Sequence, residues 1–279
     1  GRSAEPLVPS ATAELQLLRG HACGTGALLA PESVRATLAV RANQLAVGGA
    51  GVSPTLLDGL VQALNSGAVP RAHDIGALGT GDLTVLAEIG LALTGEGSWE
   101  ERSGPSPSPL RFGPGDAIGL LSSDASTIGQ AALACHDTQV ALESADDTAA
   151  ISFVAARADA TALDRRVHGA RPHPGQKASA AHLRRVVGSS GGSGRLQDAL
   201  CCRSLPQVHG AARDAVDELR RVLTVELNSG GENPLVFAES EEILCNGNFH
   251  TARLALVVDQ VRAALAHAGS LAAVRISRL

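Results

Sequence analysis

Apolar and polar residues recur along this chain with helical rather than alternating spacing. Leu15, Leu17 and Leu18 start a helical pattern within residues 10–30 that breaks at the glycines after His21. Pro31-Glu32-Ser33 opens a second stretch over 31–49, with Val34, Leu38, Ala39 and Leu45 at near-helical spacing. Over 52–65, Ser53 stands as N-cap, Pro54 takes the first helical position and Asn65-Ser66-Gly67 ends the pattern, which predicts a third helix. Residues 75–94 join a Gly-rich turn to an almost uninterrupted apolar helix, with Asp82 where an acid favours the positive end of the helix. Residues 95–115, crowded with Pro, Gly and Ser, predict a surface loop; 163–176 reads as a polar connection and 188–194 as a flexible loop. Further helices are predicted over 116–150, 177–187, 206–228 and 250–273. The expected fold is mainly α, divided into an N-terminal helical part (1–115) and a long-helix part (116–279), or else one continuous domain.

Composition agrees with helices: Ala and Leu are abundant, while there are four Phe, one Trp and no Tyr. A net charge of −5 without a Lys/Arg run gives no reason to expect nucleic acid, and no apolar stretch is long enough to span a membrane. The five cysteines are irregularly spaced and form neither a zinc pattern nor a disulfide framework, so no metal is expected and a reducing cytoplasm is. No Met is present, which fits either a trimmed initiator or a piece of a longer chain.

The Gly-rich turn carries the first candidate chemistry. Gly79-Thr80-Gly81 places a hydroxyl between two residues that let the backbone bend tightly at a helix start. Five other segments accompany it: RGHACGTG from Arg19, DRRVHGARPHPGQ from Asp164, QDALCCRSLPQVHG from Gln197, ENPLVF from Glu232 and NGNFH from Asn246. Together, in this order, they resemble the aromatic amino acid lyases, above all histidine ammonia-lyase. The resemblance implies long packed helices of the ammonia-lyase/fumarase type with a helical-bundle core. It also implies a homotetramer whose active sites each draw residues from three subunits. In that family an Ala-Ser-Gly tripeptide cyclises and loses water to give the electrophilic methylidene-imidazolone prosthetic group. Here the tripeptide is Gly79-Thr80-Gly81. Thr80 either dehydrates, leaving a methyl on the exocyclic carbon, or stays an ordinary threonine.

The resemblance carries further roles to this chain. His21 matches a residue of the side-chain pocket, Arg203 the arginine that grips the substrate carboxylate, and Phe249 a pocket wall. Gln207, Asn233 and Asn248 match polar positions. The family's asparagine beside the prosthetic group falls at Ser122, which lacks the amide, and Asp124 replaces a threonine, bringing a carboxyl towards the site. The family's loop tyrosine, a general base, falls at Leu200, which cannot take a proton. A second tyrosine and a catalytic glutamate would lie outside residues 1–279.

Three readings follow from this pattern. One is an altered relative acting on an amino acid or amino-acid-derived substrate without the tyrosine base, with Asp124 and His21 as acid/base candidates. Another is a subunit completed by a second chain in a hetero-oligomer. The third is an active histidine or aromatic amino acid ammonia-lyase whose electrophile derives from Thr80.

Overall fold

The computed structural model describes residues 11–76, 81–101, 104–188, 192 and 194–278. Helices dominate it. In chain order come α1 (Ala11–His21), β1 (Thr25–Leu28), α2 (Pro31–Val47), α3 (Pro54–Ser66), β2 (His73–Ile75) and α4 (Leu83–Leu93). These lead to α5 (Asp116–Leu121), α6 (Ala125–Ala155), a 3-10 turn over Ala160–Leu163, α7 (Arg165–Ala170), α8 (Pro174–Val187) and α9 (Leu200–Arg203). The last elements are α10 (Leu205–Glu226), β3 (Leu235–Phe237), β4 (Glu242–Leu244) and α11 (Ala252–Ile276). No helix among the described residues is long and apolar enough to cross a membrane.

The chain divides into two compact units. The first comprises Gly1–Leu133 with Leu223–Thr251, and the second Ala134–Val222 with Ala252–Leu279. The 115/116 boundary expected from the sequence lies inside the first. There, Leu18, Leu38, Leu56, Leu60, Leu86, Leu93 and Leu120 are fully buried. Each contributes about 1.5–3 kcal/mol by leaving water. Antiparallel β1 and β2, with Thr25 opposite Ile75 and Leu28 opposite His73, deliver the chain to the Gly-rich turn. Glu88 on α4 anchors β2 by accepting from the His73 amide at 2.7 Å and its Nδ1 at 2.9 Å.

In the second unit a core of Phe153, Leu163, Leu183, Cys201, Cys202 and Leu205 packs among small residues. In the same unit Asp146, fully buried, receives hydrogen bonds from His209 Nδ1 (2.7 Å), Ser179 Oγ (3.0 Å) and Arg213 Nη2 (2.5 Å). Burial pushes this carboxyl up, but the His209 and Arg213 hydrogen bonds outweigh that and hold it below the usual carboxylate range. Glycines bring α8 and α10 close: a Cβ added to Gly210 would lie 2.3 Å from the Gln176 nitrogen, and one added to Gly175 would lie 2.2 Å from the Gly210 carbonyl oxygen.

Local sequence signals located the helices better than they located the side chains' partners. Ser53 stands at the N-cap of α3 without capping it. Its amide and hydroxyl instead donate to Asp116 at 2.7 Å each. Asp82 precedes α4 but makes no cap bond to it; it accepts from the Thr127 amide at 2.7 Å and hydroxyl at 2.9 Å, so it serves the first turn of α6. The polar connection expected over 163–176 contains α7, which Asp164 caps by accepting from the Arg166 amide at 2.8 Å. The short α9 and strands β1 to β4 are additions to the expected pattern.

Candidate functional site

Gly79 and Thr80 lie outside the described residues, and Gly76 and Gly81 bracket the stretch that contains them. On the near side, Thr84 Oγ1 in the first turn of α4 donates to the Gly76 carbonyl at 3.0 Å. On the far side Gly81 has φ +69°, a conformation open to glycine and strained for other residues. The Asp82 amide donates to the Ser123 carbonyl at 2.8 Å. Asp82 is therefore tied to the junction between α5 and α6 by main chain and side chain together.

That junction carries the electrostatic anomaly of the first unit. Asp124 is 7% exposed, and its carboxyl is pushed up to about 7. Burial is the chief cause, the neighbouring charge of Asp82 adds to it, an amide hydrogen bond from Gly81 opposes it, and Glu226 adds a further push. Asp82 is itself raised by burial, against the hydrogen bonds of Thr127 and Ser126. Burial raises Glu226 at the end of α10 as well. Asp124 and Glu226 line one cleft of about 330 Å³, together with Gln44, Gly231, Asn248 and His250. Acids in such surroundings do not all ionise at neutral pH, so the cleft holds a proton it can give up or take back. Among the described residues, no group of three or more His, Cys, Asp or Glu side chains is placed to hold a metal ion.

A buried polar network supports this cleft from behind. Arg41 on α2 is fully buried and donates to Glu232 Oε1 at 2.8 Å, to Gln44 Oε1 at 3.1 Å and to the Gly119 carbonyl. Ser123 Oγ donates to the same Gln44 oxygen at 2.6 Å. Ser122 turns away from the cleft towards the 232–234 segment. Its hydroxyl accepts from the Asn233 amide at 2.9 Å and donates to the Asn233 carbonyl at 3.3 Å. Asn246 is joined to the same segment, its amide donating to Asn233 Oδ1 and its side chain to the Glu232 carbonyl, both at 2.9 Å. Asn248 follows, its amide donating to Asn246 Oδ1 at 2.9 Å.

The structure thus gathers Gly81, Ser122, Asp124, Asn233 and Asn248 about one junction, with half-buried Phe249 between two cleft residues. His21 ends α1, where its Nδ1 donates to the Leu17 carbonyl at 2.9 Å, and it is not among the cleft's lining residues. Leu200, Arg203 and Gln207 belong to the second unit. Leu200 is 66% exposed at the start of α9. Arg203 Nε donates to the Asp198 carbonyl at 2.9 Å, and Gln207 Oε1 is buried without a hydrogen-bond partner among the described residues. Sequence reasoning passed over Gln44, Glu226, Arg41 and Glu232. A signal was present in α2, where Arg41 and Gln44 interrupt the apolar face one turn apart.

Comparison with known proteins explains this assembly. The family model for aromatic amino acid lyases matches residues 1–279. The chain belongs to that family. It is 38% identical over 292 residues to a histidine ammonia-lyase of Symbiobacterium thermophilum, an alignment that takes in 98% of this chain and 58% of the relative. A histidine ammonia-lyase of Treponema denticola is 36% identical, with 94% of this chain and 55% of that protein covered. Among solved structures, histidine ammonia-lyase from Trypanosoma cruzi superposes with a TM-score of 0.89 at 28% identity, over 99% of this chain and 55% of its own. Tyrosine aminomutase from Streptomyces globisporus gives 0.88 at 31%, over 96% and 57%. The chain thus spans somewhat more than half the length of the relatives it matches.

The position that the resemblance gives to an amide is Ser122, and both hydrogen-bonding roles of its hydroxyl are engaged by Asn233. The group facing Gly81 is the Asp124 carboxyl. These residues do not fit the donor set that the resemblance implies for a methylidene-imidazolone group.

Proposed function

We propose that this aromatic amino acid lyase relative acts on an amino acid or an amino-acid-derived substrate with an altered acid/base set. In this reading Asp124 exchanges the proton that the family's loop tyrosine would have handled. The observation that carries the proposal is the Asp124 carboxyl, buried beside Gly81 over the cleft and raised to about 7. A general acid or base works best when it titrates near the working pH, and this group meets that condition. Leu200, at the tyrosine position, has no proton to exchange. Asp124 and Glu226 give the cleft an acidic wall that attracts a substrate ammonium, while Phe249 supplies apolar surface nearby. By the resemblance alone, and not by the lining of this cleft, Arg203 is the candidate for a substrate carboxylate and His21 for a side-chain pocket. Oligomeric assembly, with itself or with a second chain, belongs to the same proposal and is read by native mass.

The test combines mass spectrometry with turnover. Tandem fragmentation across Gly79–Asp82 is expected to show an unmodified Gly79-Thr80-Gly81. Loss of two waters there would return the usual electrophile to the mechanism. Histidine, aromatic amino acids and their derivatives are then screened for ammonia release or rearrangement. Asp124→Asn is expected to lower kcat about 100-fold or more, the usual contribution of a positioned acid or base. Unchanged kcat in that variant sinks the proposed role.

A further inference from the structure

The second unit contains a cavity of about 420 Å³, lined in part by Arg195, Asp198, Cys201, Cys202, Arg275 and Arg278. Arg275 decides its chemistry. It sits in the last turn of α11 and is 4% exposed. Its Nε and Nη1 are buried with no hydrogen-bond partner among the described residues. An ionised guanidinium withdrawn from water costs several kcal/mol unless its charge and its N–H groups are both answered. The negative end of α11 suits the sign of the charge but leaves those N–H groups unbonded.

The other walls do not answer it. The Cys202 thiol is pushed up to about 11, first by burial and then by Cys201, so it is uncharged at neutral pH. Asp198 is turned elsewhere: Oδ2 accepts from the Asp159 amide at 2.5 Å, and Oδ1 lies 3.8 Å from Arg195. Arg195, Arg275 and Arg278 therefore line the cavity beside one carboxylate that is already engaged.

We infer that this cavity binds a small oxyanion, a carboxylate or phosphate, which Arg275 grips from the buried side and Arg278 from the exposed rim. A buried guanidinium whose N–H groups are unanswered suits the oxygens of such a group. The site is distinct from the cleft at Asp124 and does not depend on the function proposed for that cleft. Its wall is nonetheless the segment from Gln197 to Cys202, which leads directly into Arg203. An anion here would stiffen the segment that carries the candidate substrate arginine.

The test uses the full chain, with calorimetry and thermal melting against inorganic phosphate and against malonate, each matched in ionic strength by chloride. Saturable binding and a rise in Tm are expected from at least one of them, and which one binds tells phosphate from carboxylate as the source. Arg278→Ala, at an exposed position, is expected to weaken binding about tenfold, the usual range for a charge-assisted hydrogen bond. Arg275→Met is expected to abolish binding. Without anion it should melt no lower than the unaltered chain, because it removes an uncompensated buried charge. Absence of saturable binding in the unaltered chain overturns the inference. So does a strong loss of Tm for Arg275→Met in anion-free buffer, which would mean that an acid of the protein already answers Arg275.

Discussion

The buried ion pair between Arg41 and Glu232 gives the sharpest prediction, because its two halves respond differently to removal. Both side chains are at most 1% exposed, and the pair is also bonded to Gln44 and the Gly119 carbonyl. Burial lowers the Arg41 guanidinium, and Glu232 pulls it back, so the pair holds its charge through mutual attraction. Arg41→Met leaves Glu232 as an uncompensated buried carboxylate, with Oε2 already lacking a hydrogen-bond partner among the described residues. Breaking such a pair costs about 3–5 kcal/mol, which for a unit of this size is roughly 6–20 °C in Tm. The double variant Arg41→Met/Glu232→Leu removes both charges and is expected to recover most of that loss, since apolar replacement of a buried pair is often neutral. Urea unfolding of the two single variants and the double forms a thermodynamic cycle that isolates the coupling. A loss below about 1 kcal/mol for Arg41→Met, or a double variant as unstable as the sum of the singles, refutes the reasoning.

Asp124 links folding to pH: its carboxyl stands at about 7 in the fold against an ordinary 3.8, so the folded state holds an extra proton between those values. Stability should therefore fall as pH rises from about 4 to about 7 and level off above, by a few kcal/mol at about 1.4 per unit. Asp124→Asn should flatten that slope in urea titrations; an equally steep slope in the variant counts against the buried-acid account. Asp146 has the opposite sign: its depressed carboxyl stabilises above the unfolded value, and the benefit is lost as pH falls through the folded one. Asp146→Asn should cost about 3 kcal/mol near neutrality by thermal melting, and should lose less than the unaltered protein on acidification. Gly210→Ala should destabilise the second unit by about 1–3 kcal/mol, because its methyl would meet the Gln176 backbone rather than a movable side chain. A Tm unchanged within a degree would show that α8 and α10 can separate at little cost.

Helix placement was legible because its signals are local. Pro31, Pro54 and the glycines at 48, 67 and 188 mark ends that the structure places within a residue or two. The partners of polar side chains were not legible, because they are remote in sequence. Asp82 looked like a helper of the helix beside it, yet its partner Thr127 lies 45 residues on. Ser53 looked like a cap, yet its hydroxyl goes to Asp116. The cleft shows the same division. Asp124 was visible as a departure from the family pattern, while nothing in the sequence sets Glu226 apart. Only packing raises its carboxyl. Ser122 marks the limit of transferring a role by position, since the side chain there faces Asn233 instead of the turn.

The 191-residue separation between Arg41 and Glu232 also bears on the order of events during synthesis. At about 5–20 residues per second, Arg41 leaves the ribosome roughly 10–40 seconds before its counter-ion exists. Through that interval α2 cannot bury its arginine without leaving the charge alone, so the first unit must wait, hydrated, for Leu223–Thr251 to emerge. The second unit waits in turn for Ala252–Leu279. Neither unit is a continuous length of chain. The first unit therefore cannot close before residues 134–222 of the second have been made.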